Sequence, residues 1–577
     1  MLIVKQLAVL LVAVLSVGAA SADWIEKSND NALLVLRGQG AFEPETASAV
    51  GLEAFDAEVV DLRDDYVARE NASDQALLGE MRRRLLAERD PRVRQDLEIL
   101  IQSLGDAIET RRIYRQYMLP YFNLHGLLFG SFDALLDPRN DSERYPAALQ
   151  RLRKYTGSEP GYTAIVELAR ARSRERFAVD GLQGPYRGEL DKDLSDAPRY
   201  LAGIRAAFER AELSGWEEEL PVLEAQLADY LEWLRREMLP RARPDHRLPA
   251  PVYADNLKNF GVRAAPRELI EQAQYAYQSI RSEMQALARR IAAQRGWDDD
   301  GLVTVLRRLK QEQIPQNKLL EVYRQRLRQI EEIIRREDIV SLPQRDAAIR
   351  LATEAEAAAS PASFMRPPQL IDNTGQYGEF VLVQSNPSLP GDALMDDWSH
   401  DAITWALTVH ETRPGHELQF ASMVENGTSL ARALFAFNSA NAEGWGLYAE
   451  AVMHPYLPLE AQLFSLYTRL LRAARMFLDP MVNTGQLTTQ ATVQFLTGQL
   501  AMSLPMASSE AERYAFRLPG QATAYYYGYM NLMRLRTEVE LALGDSFDQR
   551  AFHDFILAQG LLPPDLLREA VLQEFTR

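Results

Sequence analysis

The stretch that most constrains this chain is Val409-His410-Glu411-Thr412-Arg413-Pro414-Gly415-His416-Glu417-Leu418-Gln419, which follows an apolar, helix-like run from Ala402 to Val409. Two histidines flank a glutamate, and imidazole nitrogen is a favoured zinc ligand. A glutamate directly after the first histidine can stand beside a metal-bound water without binding the metal, where a general base belongs. In the common H-E-x-x-H pattern the histidines lie four apart on one helical face. Here position 414 is a proline and the second histidine lies six residues on. On a regular helix that places the two side chains roughly 120° apart, so one continuous helix cannot aim both at one ion. Pro414-Gly415 supplies a break, because proline interrupts the hydrogen-bond ladder and glycine permits a sharp turn. The expectation is a helix that ends or bulges at Arg413, with His416 swung back towards the ion.

A third ligand should lie downstream, and Asn441-Ala442-Glu443-Gly444-Trp445-Gly446-Leu447-Tyr448-Ala449-Glu450 offers two carboxylates seven apart on one helix face. One can bind the metal while the other orients a histidine. Glu443 is the preferred ligand, since the glycine after it allows close approach to another backbone; Glu450 stays open as the alternative.

The H-E-x-x-P-G-H-x-x-Q string, the E-G-W-x-x-Y-x-E string and Pro519-Gly520-Gln521-Ala522-Thr523-Ala524-Tyr525 together resemble the bacterial domain-of-unknown-function 885 family, over nearly all of the chain after its first residues. That family is largely helical and looks like a distant relative of the α-helical zinc peptidases, including angiotensin-converting enzyme and the thermostable carboxypeptidases. The resemblance implies His410, His416 and Glu443 as ligands of Zn2+ and Glu411 as the base. Tyr525 matches the family's tyrosine and is a candidate for stabilising the oxyanion of a tetrahedral intermediate. Arg513 and Arg536 resemble recurring family arginines. Either could bind a substrate carboxylate, since guanidinium pairs with carboxylates in a plane; a structural ion pair is the plainer role for both.

Residues 1–22 read as a signal peptide: Lys5, an apolar Leu7–Val17 run, and Ala20-Ser21-Ala22 at the cleavage position. The expected location is periplasmic or secreted. No cysteine follows, which argues against lipid anchoring and leaves an exported chain to hold together without disulfides. Cysteine-ligated zinc and thiol catalysis are excluded on the same ground. A formal charge of −17 argues against nucleic acid and anionic membranes as partners. No later apolar stretch has spanning length, so an integral membrane protein is not expected.

The rest reads as mainly α: a large metallopeptidase-like fold with an internal cleft, one helical catalytic domain over 23–577 with a candidate hinge between lobes near 239–251. Helices are expected over 74–89, 91–117, Ala265–Gly296, Lys318–Arg336 and Pro343–Ala359. Phe380-Val381-Leu382-Val383 interrupts the habit and predicts a β hairpin or edge strand near 377–384, a candidate peptide-binding edge. His125, His246, His454 and His553 lack partners at ligand spacing, and His400 lies too far along the helix from His410 to share an ion. The leading expectation is zinc-dependent hydrolysis of a peptide. A metal amidohydrolase acting on a non-protein or modified amide, and a non-catalytic helical binding protein, are the alternatives.

Overall fold

The computed structural model describes residues 24–359, 363–373, 375–384 and 396–576. The signal-peptide reading of 1–22 lies outside them. The fold is mainly α with one small sheet. Helices α1 (Tyr66–Ala87) and α2 (Pro91–Tyr117) pack as a pair. The α2 helix opens on Pro91, with Asp90 accepting from the Arg92 amide as its cap. Helix α3 (Pro266–Arg295) begins on its proline and stops where Gly296 takes φ +66°. A side chain is disfavoured at that dihedral, so the glycine sets the stop. The apolar positions of α3 face α8 (Leu459–Asn483), and the burial of that long seam forms the centre of the main core.

Buried apolar residues between Leu62 and Met238, apart from those of α1 and α2, form one cluster, and most of those from Tyr253 to Val571, with Ile99, form the main one. A third cluster runs from Ala32 to Leu104 and takes in Ile371, Leu430 and Ala431, so α1 and α2 pack against the C-terminal half. The change-over between the first two falls within the proline-containing stretch at 239–251. Among the described residues no helix is long and apolar enough to cross a membrane.

The stretch Pro343–Ala359 is not one helix, contrary to the sequence expectation. Its first part holds strand β1 (Ala348–Leu351), and only Glu354–Ala359 is helical. The tertiary partner decides this: β1 pairs in parallel with β3 (Glu379–Leu382) and buries Ile349, overriding the helix-forming alanines that follow. Strand β2 (Phe364–Arg366) pairs antiparallel with β3, giving the order β1-β3-β2. The run at Phe380 is therefore the central strand, with a hairpin-like partner on one side. Both its edges are paired, so peptide addition along β3 is closed and only the outer strands offer edges. Phe380 meets Tyr323 of α4 (Gln316–Arg336) edge to face at 5.6 Å, which seats the sheet against the main core.

Candidate metal centre

Helix α5 (Asp401–Glu411) is buried from Ala402 to Glu411 on every side, as its apolar composition demands. It ends at Glu411. Thr412 to Gly415 form a bend, the Arg413–Pro414 peptide is cis, and α6 (His416–Glu425) starts on the second histidine. Gly415 is obligatory for this bend: a Cβ there would stand 2.0 Å from the His410 carbonyl oxygen and 2.3 Å from that of Val409. Arg413, fully buried, ties the bend down by pairing with Glu417 at 2.8 Å and Glu331 at 2.5 Å. From α7 (Ser439–Met453), the Trp445 indole donates to the Pro414 carbonyl at 2.9 Å, and Gln419 donates to Asn441 at 3.0 Å. Gln419 thus fixes the local fold.

The bend brings the imidazole rings of His410 and His416 to 4.7 Å between centroids, at 82° to each other. Glu443 Oε2 lies 3.4 Å from His410 Nε2 and 3.3 Å from His416 Nε2, and one ligand atom from each of the three residues falls within 4.8 Å of the others. Ligands at about 2.1 Å around a tetrahedral zinc stand about 3.4 Å apart. The two carboxylate–imidazole separations already match that edge, so the three residues fit such an ion. Glu450, about two turns further along α7, lies behind the first imidazole: its Oε1 accepts from His410 Nδ1 at 2.8 Å. Glu450 is held in turn by the Thr468 hydroxyl of α8 on its second oxygen. A proton held on Nδ1 leaves the Nε2 lone pair turned towards His416 and Glu443, the usual support for a ligating histidine.

Without an ion the same contacts act as hydrogen bonds, and a metal would displace the proton that His410 Nε2 then carries. Burial alone would depress the His410 imidazole, but hydrogen bonds to Glu443 and Glu450 hold it up at about 9. Burial would likewise raise Glu443, yet hydrogen bonds from His410 and His416 keep its carboxyl well below the usual range. Glu411 is raised by burial, against the pull of the two imidazoles. Its carboxylate, 7 % exposed, makes no hydrogen bond to the described residues.

Tyr525 opens α10 (Ala524–Leu543), its ring nearly parallel to that of His410 at 6.4 Å. Its hydroxyl accepts from Arg513 at 2.7 Å. Burial raises its pKa, opposed by the Arg513 charge. Arg536 is not part of this site. Three turns further along α10, its guanidinium is spent on Glu540, the Tyr448 hydroxyl and Gln549. Its role there is the structural ion pair. Two arginines with no motif of their own do reach the site: Arg472 and Arg475 on α8 lie with their guanidinium carbons 5.7 and 4.7 Å from the Tyr525 ring centre. Thr468, Arg472 and Arg475 recur at helical spacing on one face, a signal visible in the sequence once α8 is known to pass Glu450.

The remaining histidines stand apart. His553 bonds to the Tyr448 hydroxyl and the Ile339 carbonyl, and His246 lies 3.4 Å from the Val482 carbonyl. Burial depresses His125, His454 and His553 to about 4, and His400, whose ring lies tilted against Phe464 at 4.4 Å, to about 3. The segment before β3 does reach the motif, with Arg345 lying over the Tyr377 ring at 3.7 Å and pairing with Glu417 at 2.7 Å. A wide cavity of about 1780 Å3 lies elsewhere, along α2 and residues 254–266, and none of His410, His416 and Glu443 lines it. Volume alone carries no chemistry, whereas the histidine–glutamate cluster does.

A family model described as "Bacterial protein of unknown function (DUF885)" matches residues 44–571. No curated protein matches the sequence. Two solved structures of provisionally named lipoproteins share the fold. One, of unknown function, from Shewanella oneidensis, is 16 % identical with a TM-score of 0.74, over 94 % of this chain and 99 % of that one. The other, from Colwellia psychrerythraea, is 16 % identical with a TM-score of 0.76, over 95 % and 99 %.

Proposed function

The chain belongs to the DUF885 family of bacterial proteins of unknown function, and on that premise we propose that it is a zinc-dependent hydrolase of peptide bonds. The observation that carries the proposal is the convergence of His410 Nε2, His416 Nε2 and a Glu443 oxygen at tetrahedral spacing, with Glu450 fixing the first imidazole from behind. Two neutral imidazoles and one carboxylate are the donor set of catalytic rather than structural zinc, because one position is left for water or substrate. When bound, the ion supplies Lewis acidity, which polarises a carbonyl and acidifies water.

The chain's own residues divide the remaining work. Glu411 is buried beside both imidazoles and raised in pKa, which suits a carboxylate that must take a proton from water and return it to a leaving amine. Tyr525 stacks beside His410 with its hydroxyl on Arg513, a donor arrangement suited to an oxygen that gains negative charge. Glu450 and Thr468 keep His410 in one tautomer and orientation. The leading segment 1–22 supports export to the periplasm or beyond.

The test is zinc content of the purified protein together with mass-spectrometric cleavage of a peptide mixture by wild type and Glu411→Gln. That substitution keeps shape and removes the base. The expected result is about one zinc per chain in both proteins, with hydrolysis lowered by a factor on the order of 10² to 10⁴ in the variant. Cleavage that is unchanged in zinc-loaded Glu411→Gln would remove Glu411 from the reaction.

A further inference from the structure

Beside the ligand cluster stands a group that the hydrolytic chemistry does not use. Arg472 on α8 is 4 % exposed, yet among the described residues no carboxylate pairs with it. Among the described residues its one hydrogen bond is a marginal 3.5 Å contact from Nη1 to the Thr468 carbonyl, one turn back, and its buried Nε has no partner there. A buried cation in that condition costs several kcal/mol unless something compensates it.

Its arginine neighbours offer it no free carboxylate, and Glu411, the acid near enough for its charge to interact, forms no ion pair with it among the described residues. Arg475, one turn on, is paired in two bonds of 2.7 and 2.6 Å with Glu510 of α9 (Leu504–Glu512). Arg513 reaches that same Glu510 at 3.7 Å and donates to Gln521 and to the Tyr525 hydroxyl. Three guanidinium groups therefore surround the Tyr525 ring, at 5.7, 4.7 and 5.3 Å from its centre, and one carboxylate, Glu510, serves two of them. Arg472 is left over. It also lies close enough to Glu411 for their charges to interact. The cluster is not sealed from solvent: the Glu443 and Arg513 side chains are 20 % and 19 % exposed.

Resting on the hydrolase reading above, we infer that Arg472, with Arg513 at the mouth, is the anchor for a carboxylate of the substrate, held beside Tyr525 and opposite the His410–His416–Glu443 cluster. Guanidinium is suited to this, because its planar donors meet both carboxylate oxygens and it keeps its charge when desolvated. The helix sets the geometry. Thr468 faces Glu450 and Arg472 sits one turn further on the same face of α8, so the anchored group and the reacting bond are held at a fixed separation by a buried helix. The carboxylate has two sources: the C-terminus of a peptide, which makes the enzyme trim chains from that end, or an acidic side chain, which makes it select sequence.

The probes are N-acetyl-dialanine, its C-terminal amide, and the amide of N-acetyl-alanyl-glutamate. Binding is measured by calorimetry on full-length, zinc-loaded Glu411→Gln protein, so that affinity is read without turnover. At least one of the two acids is expected to bind roughly 10- to 100-fold more tightly than the dialanine amide. Preference for the dialanine acid identifies a C-terminus, and preference for the glutamyl amide identifies a side chain. Arg472→Met should abolish the preference while leaving the thermal midpoint equal or higher, since it removes an uncompensated buried charge. Arg472→Lys should keep part of it. Equal binding of all three probes, or an unchanged preference in Arg472→Met, would overturn the inference. So would a lowered midpoint in both variants with the preference lost from both, which marks a structural role. Carboxylate binding without any peptide cleavage by wild type would leave the anchor standing and remove the hydrolase reading. Cleavage of amidated neutral peptides as fast as acids would do the reverse.

Discussion

Gly446 gives the sharpest test of the centre, because two effects of opposite sign meet there. It lies inside α7, where glycine is worse than alanine by about 1 kcal/mol in helix propensity alone. Propensity therefore says that Gly446→Ala stabilises. The structure says otherwise. An alanine Cβ would stand 2.7 Å from His410 Cε1, 2.9 Å from Nδ1 and 3.0 Å from Nε2. Ordinary contact begins near 3.4 Å, so the ring must retreat by about 0.7 Å. It is 2 % exposed and has little room. A retreat of that size stretches the 2.8 Å bond to Glu450 to about 3.5 Å, beyond a useful hydrogen bond. Overpacking costs about 1–3 kcal/mol and the strained charge-assisted bond about as much again. The net expectation is a loss of about 1–5 kcal/mol in stability and a fall in zinc affinity of about 10- to 100-fold. Urea unfolding of the metal-free protein reads the first, and competition with a chromogenic chelator reads the second. Gly105→Ala in α2 is the control: nothing lies within 4 Å of its added carbon, so propensity alone should act and stabilise by up to about 1 kcal/mol. If Gly446→Ala behaves like Gly105→Ala, with zinc affinity unchanged, the placement of α7 against His410 is wrong.

His416→Ala should remove most bound zinc, measured by metal analysis after dialysis; a full equivalent retained would strike His416 from the ligands. Glu450→Gln should keep the metal but weaken it by about 10- to 100-fold, because the amide still reaches Nδ1 while losing the charge that fixes the tautomer. His400→Phe tests proton linkage. Burial, aided by the Lys310 charge, depresses His400 to about 3, below its unfolded value near 6.5, so its contribution to stability is present above pH 6.5 and is lost as pH falls towards 3. Between pH 6.5 and 5 wild type should lose about 2 kcal/mol more than the phenylalanine variant in urea unfolding, and equal losses would show that His400 is not buried neutral.

How much of this was legible in the sequence depended on whether a signal was local. The ends of α3 were, because Pro266 and Gly296 act on their own backbone. So was the break at Pro414-Gly415, since a six-residue spacing and a proline leave one way for two histidines to meet. Glu443 and Glu450 were legible as a pair, and only packing separates their positions: Glu443 reaches both imidazoles, whereas Glu450 is packed under Thr468. Strand β1 was hidden because Ile349 is extended by its pairing with β3, not by its neighbours in sequence. The arginines were least legible. Arg472, Arg513 and Arg536 look alike in sequence, and only packing decides that Arg536 meets Glu540 while Arg472 meets no acid among the described residues.

The letters around Glu443, the proposed third ligand, then acquire a reason. Gly444 and Gly446 lie two apart on α7 and so point in different directions. Gly446 makes room for the His410 ring. Gly444 lets α7 cross α10: a Cβ at 444 would stand 2.7 Å from the Gly528 backbone, and one at 528 would stand 1.8 Å from the Ala440 carbonyl oxygen. That crossing sets how near α10 comes, and α10 carries Tyr525. Trp445, between the two glycines, donates to Pro414 and fixes the bend that delivers His416. The E-G-W-G string of α7 thus positions a residue from each of α5, α6 and α10 around Glu443. Larger residues at either glycine would push apart groups that the ligand spacing requires to stay together, and the site would open before any ligand was lost.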